Sequence, residues 1–439
     1  MPNPCSRSST GKSLTDGIGQ ESGEPRVMER LNETMDPNAW RTASPGCADW
    51  RRTARPGQLD RYLMISADCH ANEPSDLWAT RIERQYRDRI PKIQPSADGH
   101  LVQLTEGFRP IQLKNVVFEG EDRERNKAGK TPEERLRDHA RDGVDAEIIF
   151  PNKGLTMWAT PDPVFSNAMC RAWNDWAWET FARYNDRLSP MATMATGDLE
   201  GAIAEVKRVA KLGFRGLTLP CKPVWGGHDA SHLNYNLPEF DPLWTVIQDC
   251  DLPMTFHVST GRDPRASRGN GGAVINYAVH SLAPTMEPIA NLCASGVLER
   301  FPKLRFASIE AGIGWVPWAL DAMDEAYRKH HMFVRPKLKH LPSEYFRLHG
   351  FASFQEDSSG LALAREHGLI DCFLWANDYP HHEGTWPHSA AAVERQMQHL
   401  SDEERAKILG LNAAKLFKFD VAKLLRARSS KAGSPGIAS

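Results

Sequence analysis

Short runs with β-strand character alternate with amphipathic helical stretches along this chain, and this alternation constrains the fold more than any other feature. The eight runs are 62–67, 146–150, 189–195, 214–219, 253–258, 304–309, 349–354 and 372–376. The stretch 198–212 illustrates the helical pattern, because it begins with an aspartate that can cap a helix and is followed by Gly213. Such alternation is typical of βαβ units and a parallel sheet. Eight units predict an α/β fold, a closed (β/α)8 TIM barrel rather than an open sheet.

Three segments do not follow this alternation. The first 57 residues are rich in Ser, Gly and Pro and lack apolar periodicity, so we expect disorder there and no secretory signal. Residues 71–135 are too long for one loop and contain a hairpin-like run, which predicts an insertion after strand one over the barrel mouth. The barrel is expected over 58–420, with a closing helix capped at Ser401, and 421–439 as a loose, largely disordered tail.

The overall composition excludes several classes of partner. The 439 residues carry a formal net charge of −2 and contain no basic stripe with interleaved aromatic residues, which argues against nucleic acid. No apolar run approaches the ~18 residues of a spanning helix, so we expect no membrane segment. Eight scattered cysteines without a CxxC pair are typical of a reducing cytoplasm rather than a disulfide framework. The expected partner is therefore a small molecule, and the expected location is cytoplasmic.

Polar residues occupy the carboxyl ends of several predicted strands, where barrels of this type carry their catalytic groups. The stretch SADCHANEP places Asp68 and His70 two residues apart, so both side chains share one face of strand one. His257 ends strand five, Glu310 follows strand six and Asp378 follows strand eight. Asp68, His70, His257 and Asp378 together form a ligand set for one divalent metal ion. Zinc is the leading candidate and manganese also accepts this mixture; either ion lowers the pKa of bound water, towards ~7 for zinc.

Each of these residues also has a simpler interpretation. An isolated Asp-x-His pair occurs by chance in loops, and an isolated histidine such as His257 is more often a core residue than a ligand. Asp378 alone is compatible with a turn before Pro380. The coincidence of all four residues at matching strand ends favours the metal site.

Four stretches together resemble the amidohydrolase-related family that includes aminocarboxymuconate-semialdehyde decarboxylase. They are SADCHANEP, FHVS, GVLERFPKLRFASIEAGIGWVPW and LWANDYPHHEGTWP, and the resemblance runs from about residue 60 to 420. It implies a (β/α)8 barrel with one divalent metal, usually zinc and sometimes manganese, held by Asp68, His70, His257 and Asp378. It also implies that Asp378 handles a proton. Dimers are common in the family, so a homodimer is a further expectation.

One position departs from the family pattern. Decarboxylase members carry a histidine in an HGG run at the end of strand six, whereas this chain has Glu310 in IEAGIGW. A glutamate there can act as a general base or can orient a metal ligand, and both roles remain open. The missing histidine weakens a simple transfer of decarboxylase chemistry.

Three further residues are candidates for the pocket. His280, in the region after strand five, is a candidate catalytic group, and His381 is a candidate substrate-binding group. Arg262 follows His257 and would supply a cation for a substrate carboxylate. A structural or solvated role is an equal alternative for each of the three.

Three functions follow from this set of residues. The leading hypothesis is a metal-dependent hydrolase, in which Asp378 or Glu310 acts as the base. The bond that it cleaves is an amide, an ester or a carbon–carbon bond next to a ketone in a small substrate. The alternative is a non-oxidative, metal-dependent decarboxylase (carboxy-lyase) of an aromatic or unsaturated acid. The third, of another class, is a catalytically inactive binding barrel. A cation beside the metal would favour the decarboxylase, and failure to bind metal would favour the inactive barrel.

Overall fold

The computed structural model describes residues 36, 38–113, 117–224, 233–261, 267 and 269–432. The chain divides into two units, Met1–Trp40 and Arg41–Ser439, and the architecture below is that of the second unit. Its strands are β1 (Ile65–His70), β2 (Lys92–Pro95), β3 (Leu101–Leu104), β4 (Ile111–Gln112), β5 (Ala146–Phe150), β6 (Leu188–Pro190), β7 (Ala192–Thr193), β8 (Leu217–Leu219), β9 (Met254–His257), β10 (Phe306–Ile309), β11 (Gly350–Phe354) and β12 (Phe373–Trp375).

Nine of these strands are parallel and correspond to the eight predicted runs. The pairing orders are β1-β5-β6 and β7-β8-β9-β10-β11-β12. Only Met191 separates β6 from β7, so the two form one interrupted strand that joins both sets. The predicted runs are thereby confirmed, although β1 begins at Ile65 rather than at residue 62. This shift places Asp68 and His70 within the strand itself.

The parallel strands close into a barrel because the chain after β12 returns alongside β1. Cys69 and Tyr379 form a parallel bridge between the two segments. The backbone N–H of His70 donates to the carbonyl of Tyr379 at 2.7 Å, and that of Asp378 donates to Asp68 at 3.1 Å. This seam brings the end of the eighth strand directly beside the polar end of the first. The α/β TIM-barrel fold predicted from the sequence is confirmed.

Helices connect and cover the strands. The α-helices are Ala39–Thr42, Leu77–Arg81, Gly120–Lys127, Pro132–Asp142, Pro163–Phe181, Leu199–Leu212, Asp241–Asp249, Gly272–Ile275, Met286–Ala294, Val297–Arg300, Trp315–Lys329, Pro342–His349, Ser358–Leu363, Ser389–Gln396, Asp402–Ala406, Asn412–Phe417 and Val421–Ala432. Two π-helical segments, Asn276–Ser281 and Lys407–Leu411, interrupt this series, and short 3-10 turns are Arg84–Tyr86, Lys153–Thr156, Ala182–Tyr184, Pro238–Phe240 and Ala283–Thr285.

The ends of two helices follow the capping signals in the sequence. The Asp198 side chain accepts from the backbone N–H of Gly201, and Gly213 ends the same helix in the left-handed region at φ 107°. A glycine adopts that conformation without the steric cost of a Cβ. Ser401 forms the predicted capping box with Glu404. Both helix boundaries are therefore set by local chemistry.

The core lies between the strands and the surrounding helices. Every residue of β5, β9, β10 and β11 is buried, as expected for parallel strands covered on both faces. Trp244, Phe256 and Phe306 are fully buried in the largest apolar cluster. Complete burial of such a side chain stabilises the fold by about 1.5–3 kcal/mol. Polar side chains on these strands therefore stand out against an apolar background.

The segment between β1 and β5, which the sequence predicts to be an insertion, contains a small sheet. Strands β2, β3 and β4 make a small antiparallel sheet, with Ile93 paired to Gln103 and Val102 paired to Gln112. The helix Gly120–Lys127 follows this sheet. The hairpin expected within residues 71–135 is confirmed, with a third strand added.

Both terminal segments contain more order than the composition predicts. The loose tail expected at 421–439 is wrong for Val421–Ala432, which form a helix that buries Leu424. The disorder expected for 1–57 is wrong for residues 41–57, where Ala54 is fully buried and Arg55 Nε donates to Glu394 Oε1 at 2.8 Å. Residues 1–35 and 37, together with 433–439, lie outside the described residues. Long-range contacts that composition does not encode stabilise both segments.

Two expected absences can be compared with the described residues. Among them, none of the helices has the combined length and apolar character needed to cross a bilayer. The described cysteines, from Cys47 to Cys372, are all free thiols.

Candidate metal centre

Five charged or ionisable side chains meet at the carboxyl ends of the barrel strands. Asp68 and His70 share one face of β1, and His257 is the last residue of β9. Glu310 follows β10, and Asp378 lies three residues after β12. Four of these residues are fully buried, and Glu310 is 6 % exposed. The barrel therefore places the polar strand ends in one buried cluster.

The two imidazole rings form the centre of this cluster. His257 Nε2 lies 3.4 Å from Asp68 Oδ1 and 3.2 Å from Glu310 Oε2. His70 Nε2 lies 3.6 Å from Asp68 Oδ1. It is also 3.4 Å from both Glu310 Oε2 and Asp378 Oδ1. Asp68, His70, His257 and Glu310 have ligand atoms within 4.8 Å of one another, and so have His70, Glu310, Asp378 and His381.

Backbone carbonyls fix the orientation of both rings. His70 Nδ1 lies 2.8 Å from the carbonyl of Pro151, and His257 Nδ1 lies 2.8 Å from the carbonyl of Val258. A carbonyl only accepts hydrogen bonds, so each Nδ1 carries the hydrogen. Each Nε2 then directs a lone pair into the cluster, which is the arrangement found in metal-ligating histidines.

The atoms that face the centre have no hydrogen-bond partner among the described residues. They are both carboxylate oxygens of Asp68 and Asp378 and the Nε2 atoms of His70 and His257. Buried polar atoms without partners are costly, and adjacent buried carboxylates repel one another. A divalent cation would satisfy all of these atoms and balance their charge. The donor set of imidazole nitrogens and carboxylate oxygens fits such an ion.

Backbone geometry at two of these positions is unusual. Glu310 has φ 60° and Asp378 has φ 54°, both in the left-handed region that residues other than glycine rarely adopt. The Ser353 hydroxyl accepts from the backbone N–H of Glu310 at 3.0 Å and helps to hold that conformation. Strained residues of this kind concentrate at functional sites.

The protonation of the protein groups reflects the crowding of charge. Burial, with the Asp378 and Asp68 carboxylates, raises the pKa of Glu310 well above its ordinary value. Burial also raises the pKa of Asp378 to about 6. The pKa of His70 is lowered by burial and then by the neighbouring His381 and His257. The protein groups alone therefore disfavour the full negative charge that an added cation would stabilise.

His381 lies beside this cluster and closer to solvent. Its ring stacks on that of His70, with centroids 3.9 Å apart and planes inclined by 22°. Its Nδ1 atom is 3.1 Å from Asp378 Oδ1, and its side chain is 20 % exposed. Burial opposes a charged ring, but the Asp378 carboxylate outweighs burial and raises the pKa of His381 to about 9. His381 therefore connects the buried carboxylate to the barrel mouth.

The other two predicted pocket residues, His280 and Arg262, are not among the clustered ligand atoms of the described residues. His280 lies in the π-helical segment Asn276–Ser281, where it is 9 % exposed and its Nδ1 has no hydrogen-bond partner among the described residues. It does not belong to either group of clustered ligand atoms. Arg262 lies outside the described residues.

Sequence reasoning missed a residue that supports the site from behind. Arg135 is fully buried and donates Nη1 to the carbonyl of His70 at 2.8 Å. Its Nε and Nη2 atoms bond the Glu147 carboxylate at 2.6 and 2.7 Å. Arg135 falls at the end of the expected insertion, in a charged helical stretch that predicts a solvated face. No local pattern distinguished it from its exposed neighbours.

Comparison with known proteins identifies several related chains. The family model described as Amidohydrolase matches residues 67–419. Gamma-resorcylate decarboxylase of Rhodococcus jostii (strain RHA1) is 28 % identical over 301 residues, covering 62 % of this chain and 83 % of the relative. Gamma-resorcylate decarboxylase of Rhizobium radiobacter is 24 % identical over 305 residues, covering 63 % and 84 %.

Solved structures share the fold at lower identity. An amidohydrolase from Mycobacterium avium subsp. paratuberculosis K-10 aligns with a TM-score of 0.67 and 19 % identity, over 82 % of this chain and 99 % of that chain. A dihydroxybenzoic acid decarboxylase from Polaromonas sp. JS666, solved with manganese and 2-nitroresorcinol, aligns with a TM-score of 0.55 and 21 % identity, over 83 % and 99 %. The family match spans most of the barrel and its polar strand ends, so this chain belongs to the amidohydrolase family.

Proposed function

We propose that this enzyme is a metal-dependent, non-oxidative decarboxylase of a hydroxylated aromatic carboxylic acid. The observation that carries the proposal is the buried carboxylate–imidazole cluster in a barrel whose curated relatives are gamma-resorcylate decarboxylases. The chain covers more than four-fifths of those relatives. They favour the decarboxylase alternative over the hydrolase that led the sequence interpretation.

The proposed cofactor is one divalent ion held by Asp68, His70, His257 and Asp378, with Glu310 facing the same position. Manganese now ranks before zinc, because two related decarboxylase structures contain manganese. When bound, the ion would polarise substrate oxygens and balance the surrounding carboxylates.

The protein groups would handle the proton that replaces the departing carboxylate. Decarboxylation of an aromatic acid requires a proton at the ring carbon that bears the carboxylate. The carbon–carbon electron pair then returns to the ring, and carbon dioxide leaves. Asp378 is assigned to deliver this proton, because its buried carboxyl group lies in the cluster beside the partly exposed His381. His381, 3.1 Å away and partly exposed, would pass protons between Asp378 and solvent.

We assign Glu310 to the metal side of the pocket rather than to the substrate. Its Oε2 atom is 3.2 Å from His257 Nε2 and 3.4 Å from His70 Nε2, close to the atoms expected to face the ion. In this position its carboxylate would act as an additional ligand or orient the others. If Glu310 acted as a general base instead, the enzyme would be a hydrolase. The Glu310 carboxylate is therefore the observation that favours this second function.

The remaining expectations keep the status of predictions. A homodimer and a cytoplasmic location are both compatible with the proposal. The candidate roles of His280 in catalysis and of Arg262 in binding a substrate carboxylate also remain predictions.

A product assay on manganese-loaded enzyme separates the functions. We expect 2,6-dihydroxybenzoate or a related hydroxybenzoate to yield carbon dioxide and the phenol that lacks the carboxylate. Asp378→Asn should abolish both products, whereas the exposed variant Asp371→Asn should not. Turnover of amides or esters, with no carbon dioxide from the hydroxybenzoate panel, would establish the hydrolase instead. A chain that turns over neither class and binds no metal would be the inactive barrel.

A further inference from the structure

A second concave site lies at the opposite end of the barrel from the metal centre. A cavity of about 250 Å³ is lined by three arginines, Arg61, Arg187 and Arg428, and by one carboxylate, Asp145. Arg61 precedes β1, Asp145 precedes β5 and Arg187 precedes β6, so the cavity is at the amino ends of the strands. Among the described residues of its wall, positive side chains outnumber negative ones.

The single carboxylate is already saturated with donors. Asp145 Oδ1 accepts from Arg61 Nη2 at 2.7 Å and from Arg428 Nε at 3.2 Å. Asp145 Oδ2 accepts from Arg61 Nη1 at 3.1 Å, from the Met64 backbone N–H at 3.0 Å and from Arg428 Nη2. These bonds use the acceptor capacity of the carboxylate, so it cannot also serve a third guanidinium.

Arg187 is that third guanidinium. Its Nε donates to the backbone carbonyl of Asp145 at 2.8 Å, which fixes the side chain against the cavity wall. Its Nη1 and Nη2 atoms have no hydrogen-bond partner in the part of the chain that the structure describes. The adjacent Asp186 pairs with Lys423 at 3.1 Å. Partial burial lowers the pKa of Arg187.

We propose that this cavity binds a small oxyanion, a phosphate or carboxylate group, on the two free nitrogens of Arg187. A guanidinium presents paired donors that match the oxygens of such groups. The neighbouring Arg61 and Arg428 stay hydrogen-bonded to Asp145 and add positive charge around the anion. Val144 and Leu424 supply an apolar wall, so the ligand can carry a small apolar body.

The cavity wall is built from three separate parts of the chain. Arg61 belongs to the segment before β1, Arg187 to the barrel, and Arg428 to the helix Val421–Ala432. Arg428 also donates Nη1 to the carbonyl of Arg61 at 2.9 Å. The site does not involve the metal ligands or the proposed reaction.

Calorimetric titration of the metal-loaded, full-length chain tests the proposal. Inorganic phosphate and benzoate are titrated separately at constant ionic strength set with chloride. We expect one of the two anions to bind wild type, and Arg187→Met to weaken that binding at least tenfold. Arg171→Met removes a half-exposed arginine that pairs with Glu83 elsewhere, and it should leave the affinity unchanged. The anion that binds more tightly identifies the ligand class.

Two results would overturn the proposal. One is no binding of either anion by wild type, and the other is equal affinity in wild type and Arg187→Met. Equal affinity would place the bound anion outside this cavity, at the active-site metal or elsewhere. If Arg187→Met fails to fold, Arg187→Lys keeps the charge but loses the paired donors. Its affinity should then fall several-fold, and an unchanged affinity would again contradict the site.

Discussion

Two buried charged clusters flank strand β1, and they differ in the cation that balances their buried carboxylates. On one face, Asp68 and His70 point into the candidate metal centre, where carboxylate oxygens have no partner among the described residues. On the other face, Glu147 lies in a cluster with Cys69 and His139. That second cluster contains its own cation, Arg135, whose Nε is 2.6 Å from the Glu147 carboxylate.

The balance of charge explains the contrast. Burial disfavours the Glu147 carboxylate, but Arg135 and His139 outweigh burial and hold its pKa well below the ordinary value. Burial raises the pKa of Asp378, and the neighbouring His381 only partly offsets it. Because Arg135 is part of the chain, the cation of the Glu147 cluster is permanent and structural. The candidate metal centre has three carboxylates around two imidazoles, and the divalent ion proposed for it would be a cation that binds and dissociates.

The largest expected effect is on catalysis. Asp378→Asn should lower kcat by about 10²–10⁴-fold, because the variant loses the proton-handling carboxyl group. Steady-state rates with the best hydroxybenzoate substrate provide the measurement. Asp371→Asn, an exposed aspartate paired with Lys407, is the matched control and should retain wild-type rates. Retention of kcat by Asp378→Asn would remove this residue from the mechanism.

The next effect is on stability. Glu147→Gln should reduce the free energy of unfolding by about 3–5 kcal/mol, because Arg135 is left as a buried charge without its carboxylate. Denaturant titration measures the change. The double variant Glu147→Gln/Arg135→Met removes both charges and should recover part of the loss. If the single variant is as stable as wild type, this cluster does not stabilise the fold and the prediction is wrong.

A smaller effect is expected at the mouth of the site. His381→Phe preserves the stacking on His70 but removes the nitrogen beside Asp378, so kcat should fall by about 10–100-fold, as for other groups that orient a ligand. Metal content measured on the same sample should remain at the wild-type level. A loss of metal that matches the loss of rate would instead make His381 a ligand.

The smallest effect appears as a pH dependence of the Glu147 contribution. The folded-state pKa of Glu147 is depressed, so its contribution to stability is complete above the unfolded value of about 4.3. It is lost as the pH falls from there through the folded pKa. The difference in unfolding free energy between wild type and Glu147→Gln should therefore narrow below that pH. A constant difference down to acid would show that the carboxylate is not stabilised by its charge.

The sequence contained enough information to predict the barrel and the inward-facing polar residues. Alternation of strand and helix patterns located all eight strand runs, and polar residues at strand ends are conspicuous among buried aliphatic residues. Asp68, His70, His257 and Asp378 were therefore identifiable before the structure. The same argument identified Glu310, although not its proximity to both imidazole rings.

Charged residues whose partners lie in other segments of the chain were not predictable in the same way. Arg135 lies on a helix of charged residues, and only the packing of that helix against β1 makes it a buried partner of Glu147. Arg428 lies in a tail with a disordered composition, and its bonds to Asp145 span most of the chain. Local patterns report which face of an element is apolar, but they do not report which distant charge completes an ion pair.

Metal analysis by elemental mass spectrometry is the most direct test of the contrast between the two clusters. It should be made on protein purified without a histidine tag, for wild type, Asp378→Asn and Glu147→Gln. We expect about one manganese or zinc ion per wild-type chain, as for a site with one set of ligands. Folded Glu147→Gln should keep that ion, and Asp378→Asn should lose most of it. Wild type without metal, even after reconstitution, would contradict the account.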